Sequence, residues 1–101
     1  MDQYQLTSKA KEDLFAILDY IAADNPAAAD RVEAAMLESC NFLASTPHAG
    51  HIRLDLTTRP VRFWCLPRFP NYLLVYDPAS KLLTVLRIFH AARDLTQHLE
   101  P

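Results

Sequence analysis

The chain has 101 residues, half of them hydrophobic and only one a glycine, which excludes a disordered or low-complexity protein. That length supports a single domain over 1–101 whose core needs neither metal nor disulfide. No apolar run reaches the length of a membrane span and no signal peptide precedes Tyr4, so a cytoplasmic protein without membrane contact is expected. The net charge of −2 is unevenly divided: residues 1–50 hold three cations against eight carboxylates, residues 51–101 seven against four. The second half is therefore expected to face something anionic, a nucleic acid or an acidic protein segment, unless it is only a solvated surface. Cys40 and Cys65 have no CxxC spacing and read as two buried free thiols.

Residues 3–7 alternate polar and apolar and suit a short strand. Ser8 is the expected N-cap of a first helix, with Glu12 and Asp13 near the favourable end of its dipole. Ala10, Leu14, Ile17, Leu18 and Ile21 make one apolar stripe. Phe15 and Tyr20 lie off it, either as surface aromatics or as side chains offered to a partner. Asp24-Asn25-Pro26 is the clearest boundary: the residue before a proline resists helix, and Asn25 can cap a new helix with Pro26 at its first position. The second helix is expected from Pro26 to Ala44, with Ala29, Val32, Met36, Cys40 and Leu43 on one face. So short a break makes the two an antiparallel hairpin. Ser45-Thr46-Pro47 ends the second helix and Gly50 marks a turn.

Three strand candidates follow. Arg59 to Leu66 alternates Val61, Phe63 and Cys65 against Arg62, Trp64 and Leu66, and Tyr72 to Tyr76 is short and apolar. Leu82 to Phe89 sets Leu82, Thr84, Leu86 and Ile88 against Leu83, Val85, Arg87 and Phe89. Both of its faces are oily, which makes it a central strand. The connections 67–71 and 77–81 suit hairpins and are too short for helical crossovers. The expected fold is α+β in two layers, an N-terminal strand and helical hairpin packed on a three- to four-stranded antiparallel sheet, with a short C-terminal helix or tail. Arg87 interrupts an apolar face and must reach solvent, a carboxylate or a phosphate. The uncovered sheet face is where Arg62, Trp64 and Arg87 are expected to meet.

Taken together, these segments resemble the ParE/RelE superfamily of bacterial toxins, the toxin halves of type II toxin–antitoxin pairs. Tyr4-x-Leu6-x-x-x-Ala10-x-x-Asp13-Leu14 is similar to the family's first strand and helix, and Asp24-Asn25-Pro26-x-Ala28-Ala29 to its inter-helix turn. Leu43-x-x-x-Pro47-x-x-Gly50 with Arg53 resembles the exit from the second helix. Val61-Arg62, Tyr72-Leu73-Leu74-Val75-Tyr76 and Val85-Leu86-Arg87-Ile88-Phe89-His90-x-x-Arg93-Asp94 resemble the sheet strands and the closing element. The resemblance implies a toxin neutralised by a cognate, ParD-like antitoxin, with the pair repressing its own operon and the antitoxin alone contacting operator DNA.

Two activities are known in that superfamily: cleavage of ribosome-bound mRNA and poisoning of DNA gyrase. Cleavage by 2′-hydroxyl attack needs a base, an acid and a cation for the pentavalent phosphate, for which Arg62, Arg87 and His90 are the candidates. The resemblance implies that RelE-like nucleases carry a basic cluster and often a tyrosine near the C-terminus, whereas here no tyrosine follows Tyr76 and Lys81 is the only late lysine. The chain is also acidic overall, whereas a ribosome-bound nuclease benefits from positive charge. The ParE-like, gyrase-directed branch is therefore favoured. It would act by binding, without a cofactor, through Arg53, Arg59, Arg62, Arg68 and Arg87 with Trp64 as an aromatic anchor. A homologue that only binds antitoxin and co-represses is the third reading. Phe15 and Tyr20 are the candidate antitoxin contacts. His48 and His51 flank Gly50, but no cysteine or carboxylate completes a metal site there, and phosphate loops and dinucleotide fingerprints are absent from the sequence.

Overall fold

Two helix caps organise the first half of the chain. In the computed structural model, which describes residues 4–98, strand β1 (Tyr4–Leu6) runs into Thr7, whose side chain accepts from the Ala10 N–H and starts helix α1 (Ser8–Ala22). The cap therefore falls one residue before Ser8, because Thr7 holds the extended backbone a cap needs and Ser8 is already helical. Gln3, the expected start of the first strand, lies outside the described residues. Asn25 caps helix α2 (Pro26–Ser45) as expected, its Oδ1 accepting from the Ala28 N–H with Pro26 inside the first turn. Ala10 and Ile17 of α1 are buried with all five residues of the expected α2 face, and Leu14, Leu18 and Ile21 pack against them.

The sheet has strands β2 (Arg62–Leu66), β3 (Phe69–Asp77) and β4 (Leu83–His90), followed by helix α3 (Ala91–His98). The strand order is β1-β4-β3-β2. β2, β3 and β4 form the expected antiparallel meander, while β1 joins β4 in parallel, so the four-stranded sheet is mixed. The long excursion through the helical hairpin separates β1 from β4 in sequence and permits a parallel pairing that no tight turn could make.

Two irregularities depart from the expected pattern. The β2–β3 connection is Pro67-Arg68 rather than five residues, because Phe69 already pairs with Leu66. Pro70 cannot donate to a ladder, so the register slips between Cys65 and Leu66 instead of the strand ending. Arg68 takes a φ of 69°, a region usually left to glycine or asparagine. A second slip, between Val75 and Tyr76, inserts an extra residue into β4 and upsets its simple alternation. Leu83, Val85 and Ile88 consequently pack in the core under the helices, whereas Leu86 and Phe89 join Val61, Phe63, Leu73 and Val75 on the other face.

That second face is not an open arginine-lined platform. Leu56, from the long segment 46–61 between α2 and β2, packs onto it. The segment is held down by Tyr76, whose buried Oη donates to Pro47 O (2.6 Å) and accepts from the Gly50 N–H (2.9 Å). Desolvation raises the Tyr76 pKa, and the Gly50 N–H partly offsets it. His51 and Phe63 exchange backbone hydrogen bonds of 2.8 Å, which lays the segment along the outer edge of β2. Gly50 has no positive φ. Its lack of a side chain serves close approach to Tyr76 and not a turn conformation.

The two thiols differ in environment. Cys65 is exposed, contrary to expectation, because β2 is an edge strand; Cys40 is buried. Burial pushes the Cys40 thiol up to about 12, whereas an unfolded cysteine ionises near ~8.5. Between those values the unfolded chain releases a proton that the folded chain keeps, so stability falls as pH rises through that window. Denaturant melts should show a loss of about 1.5–2 kcal/mol between pH 8 and 10 from this group. In Cys40→Ala that alkaline slope should flatten; an unchanged slope would assign it to another group.

Candidate functional site

Arg87 has its partner within the chain. Its Nε and Nη2 donate to the two oxygens of Asp13 on α1 at 2.8 and 3.0 Å, and the same carboxylate accepts from the Ile88 N–H at 2.9 Å. The geometry follows from β1 being short. β1 covers β4 only through Val85; the Thr7 N–H then donates to Val85 O and Thr7 Oγ1 to Leu86 O. Beyond that point α1 replaces the strand, and Asp13 supplies the next acceptor along the exposed edge of β4. The guanidinium also lies over the Phe89 ring, 4.8 Å from its centroid. Hydrogen bonding to Asp13 raises the Arg87 pKa, and partial burial opposes it less strongly. Of the three fates open to this arginine, the structure selects the carboxylate.

Arg62 and Trp64 share a face, but it is the helix-covered one. Trp64 Nε1 donates to the buried Ser39 Oγ (3.1 Å), and its ring packs on Phe42 of α2 with centroids 5.3 Å apart. Arg62 Nη1 donates to Gly50 O at 2.8 Å and more weakly to His48 O at 3.4 Å, tying the long segment to β2. Arg87 reaches α1 across the opposite edge of the sheet. The expected meeting of Arg62, Trp64 and Arg87 on an uncovered face does not occur, because the slip in β4 sets Arg87 opposite Val75 and over Phe89, on the face away from Arg62 and Trp64.

His90 ends the strand that carries Arg87 but stands far from Arg62. It pairs with Tyr72, whereas Arg62 pairs with Tyr76 at the other end of β3. Four residues of strand and two strand spacings separate them, roughly 13 Å along and 10 Å across. The ring of His90 meets Tyr72 edge-on at 5.5 Å, its Nδ1 is buried without a hydrogen-bond partner, and its N–H donates to Asp94 Oδ2 at the start of α3.

The remaining candidates lie at the surface. Arg53 forms a two-pronged pair with Asp55 (2.9 and 2.8 Å), which raises the arginine pKa and lowers that of the carboxylate. Arg68 makes a long 3.9 Å contact with Glu38, both well exposed, and such a pair contributes little. Arg59 is exposed beside Arg62 on the long segment. Phe15 and Tyr20 are 67% and 73% exposed on α1, with Arg93 placed 5.8 Å from the Tyr20 ring.

Sequence reasoning missed four residues of consequence: Asp13, Tyr76, Ile52 and Leu54. Asp13 and Tyr76 act across distances in sequence that no local pattern reports. Ile52 and Leu54 carried a signal, since with Leu56 they alternate with Arg53 and Asp55 at strand spacing in a stretch that forms no strand, and they are 58% and 73% exposed.

Residues 4–95 match the family described as ParE toxin of type II toxin-antitoxin system, parDE. Toxin RelE2 of Caulobacter vibrioides is 37% identical over 93 residues, covering 92% of this chain and 99% of that protein. The solved chromosomal ParDE TA system from P. aeruginosa includes a chain 25% identical, with a TM-score of 0.72 over 89% of this chain and 96% of that one.

Proposed function

Because the chain belongs to the ParE toxin family of type II toxin–antitoxin systems, we propose that it arrests growth by binding DNA gyrase and is neutralised by a ParD-like antitoxin. The observation that carries the binding reading is the separation of Arg62, Arg87 and His90. Phosphoryl transfer from a 2′-hydroxyl needs its acid, base and phosphate cation within hydrogen-bond reach of one phosphate. Here Arg62 is committed to the segment 46–61, Arg87 to Asp13, and His90 to the far end of β3. The RelE name of the Caulobacter relative keeps ribosome-dependent mRNA cleavage as the alternative. Purified protein added to gyrase with relaxed plasmid should block supercoiling and trap cleaved DNA. Normal supercoiling, together with cleavage of mRNA on added ribosomes, would reverse the choice.

The antitoxin is expected to use the outer face of α1, where Phe15 and Tyr20 stand off the core stripe. Leu14→Ala should cost about 2–3 kcal/mol, since that side chain packs against the buried cluster. Phe15→Ala should leave the melting temperature of the isolated toxin nearly unchanged and weaken neutralisation when the antitoxin is co-expressed. Equal loss of thermal stability in the two variants would remove Phe15 from the partner face.

A further inference from the structure

We infer that the segment 46–61 is the target-binding surface, and that it takes an acidic, aliphatic stretch of a partner protein. The inference rests on the gyrase-directed reading and names the face that reading leaves open.

Connections longer than about 12–15 residues without regular structure are uncommon in small domains and are usually functional. This one is also built to be rigid. Tyr76 fixes Pro47 and Gly50, Arg62 fixes Gly50 again, His51 pairs with Phe63, and Arg53 clamps Asp55 while its carbonyl accepts from Leu56 and Thr57 N–H groups. So much anchoring would allow every large side chain of the segment to be buried. Leu56 is packed inward. Ile52 and Leu54 are instead 58% and 73% exposed. A preordered backbone that presents aliphatic side chains costs little further entropy on binding.

Those two side chains border a groove of ≈ 350 Å³ that also takes in His48, Arg59, Pro60 and Arg62. No carboxylate among the described residues lines it, although the chain as a whole carries −2. The local positive charge calls for an anionic partner, and complementary charge steers association and sets register. The aliphatic walls choose between kinds of anion. Single-stranded nucleic acid is held by aromatic platforms, and no phenylalanine, tyrosine or tryptophan among the described residues lines this groove. Aliphatic contacts flanked by arginines fit a protein segment in which carboxylates alternate with leucine-like side chains. A second apolar groove, ≈ 310 Å³ between α2 and β2, is lined by both Glu38 and Arg68 and has no such preference.

The test uses the full chain and reconstituted gyrase of both subunits as the probe. Ile52→Asp/Leu54→Asp and, separately, Arg59→Glu should keep the wild-type melting temperature, because all three side chains are exposed. Each should weaken gyrase binding by about tenfold or more, and wild-type binding should weaken with added salt. A folded double variant that binds gyrase like wild type overturns the surface and leaves the gyrase reading standing. Wild-type protein that does not bind gyrase overturns the gyrase reading. In that case growth arrest decides the surface: arrest lost in the double variant retains it, and arrest undiminished removes it.

Discussion

Asp13→Ala is expected to destabilise the domain by about 3 kcal/mol, a large fraction of the 5–15 kcal/mol typical of such folds. One carboxylate there serves three donors, two from Arg87 and one from the Ile88 N–H. Its removal leaves a guanidinium and a strand amide without their acceptor at a site where the two side chains are 17% and 27% exposed. Arg87→Ala should cost somewhat less, since Asp13 retains the Ile88 N–H and can be reached by water. Arg87→Lys should recover only part of the loss, because an ammonium cannot reproduce the two-pronged contact. Urea melts of the three variants check the order. A stable Arg87→Ala protein would return Arg87 to the list of free target-binding arginines. Loss of toxicity in Arg87 variants therefore has to be read beside their stability.

Gly50→Ala should be at least as damaging, at about 3 kcal/mol or more. A Cβ at that position would lie 2.6 Å from Tyr76 Oη, 2.8 Å from its Cε1 and 2.9 Å from Phe63 O. None of these atoms can withdraw cheaply, since Tyr76 is fully buried and Phe63 O is bonded to His51. Tyr76→Phe tests the same junction more gently. It removes the acceptor of Gly50 N–H and the donor to Pro47 O, for an expected loss of about 2 kcal/mol. If Gly50→Ala melted like wild type, the junction would be loose and the segment 46–61 would not be the rigid surface described above.

The helical hairpin was legible because its signals are local. Asn25-Pro26 caps and starts α2, and the stripe from Ala10 to Ile21 repeats at helical spacing. The meander was legible from alternation and short connections. Legibility stopped where a strand slips. The extra residue in β4 reorders which side chains share a face beyond Val85, and with it the surroundings of Arg87. The site was harder still, because Arg87 and Asp13 stand 74 residues apart, and Tyr76 and Gly50 stand 26 apart. The exposure of Cys65 has no local signal, because alternation gives a face but does not say that β2 lies at the sheet edge.

The most direct test of the central claim is to induce the protein without antitoxin and pulse-label DNA and protein synthesis in parallel. The gyrase-binding account predicts early loss of DNA synthesis with DNA-damage signalling, while protein synthesis continues. Early loss of protein synthesis with intact DNA synthesis would contradict it and return Arg62, Arg87 and His90 to the position of catalytic residues.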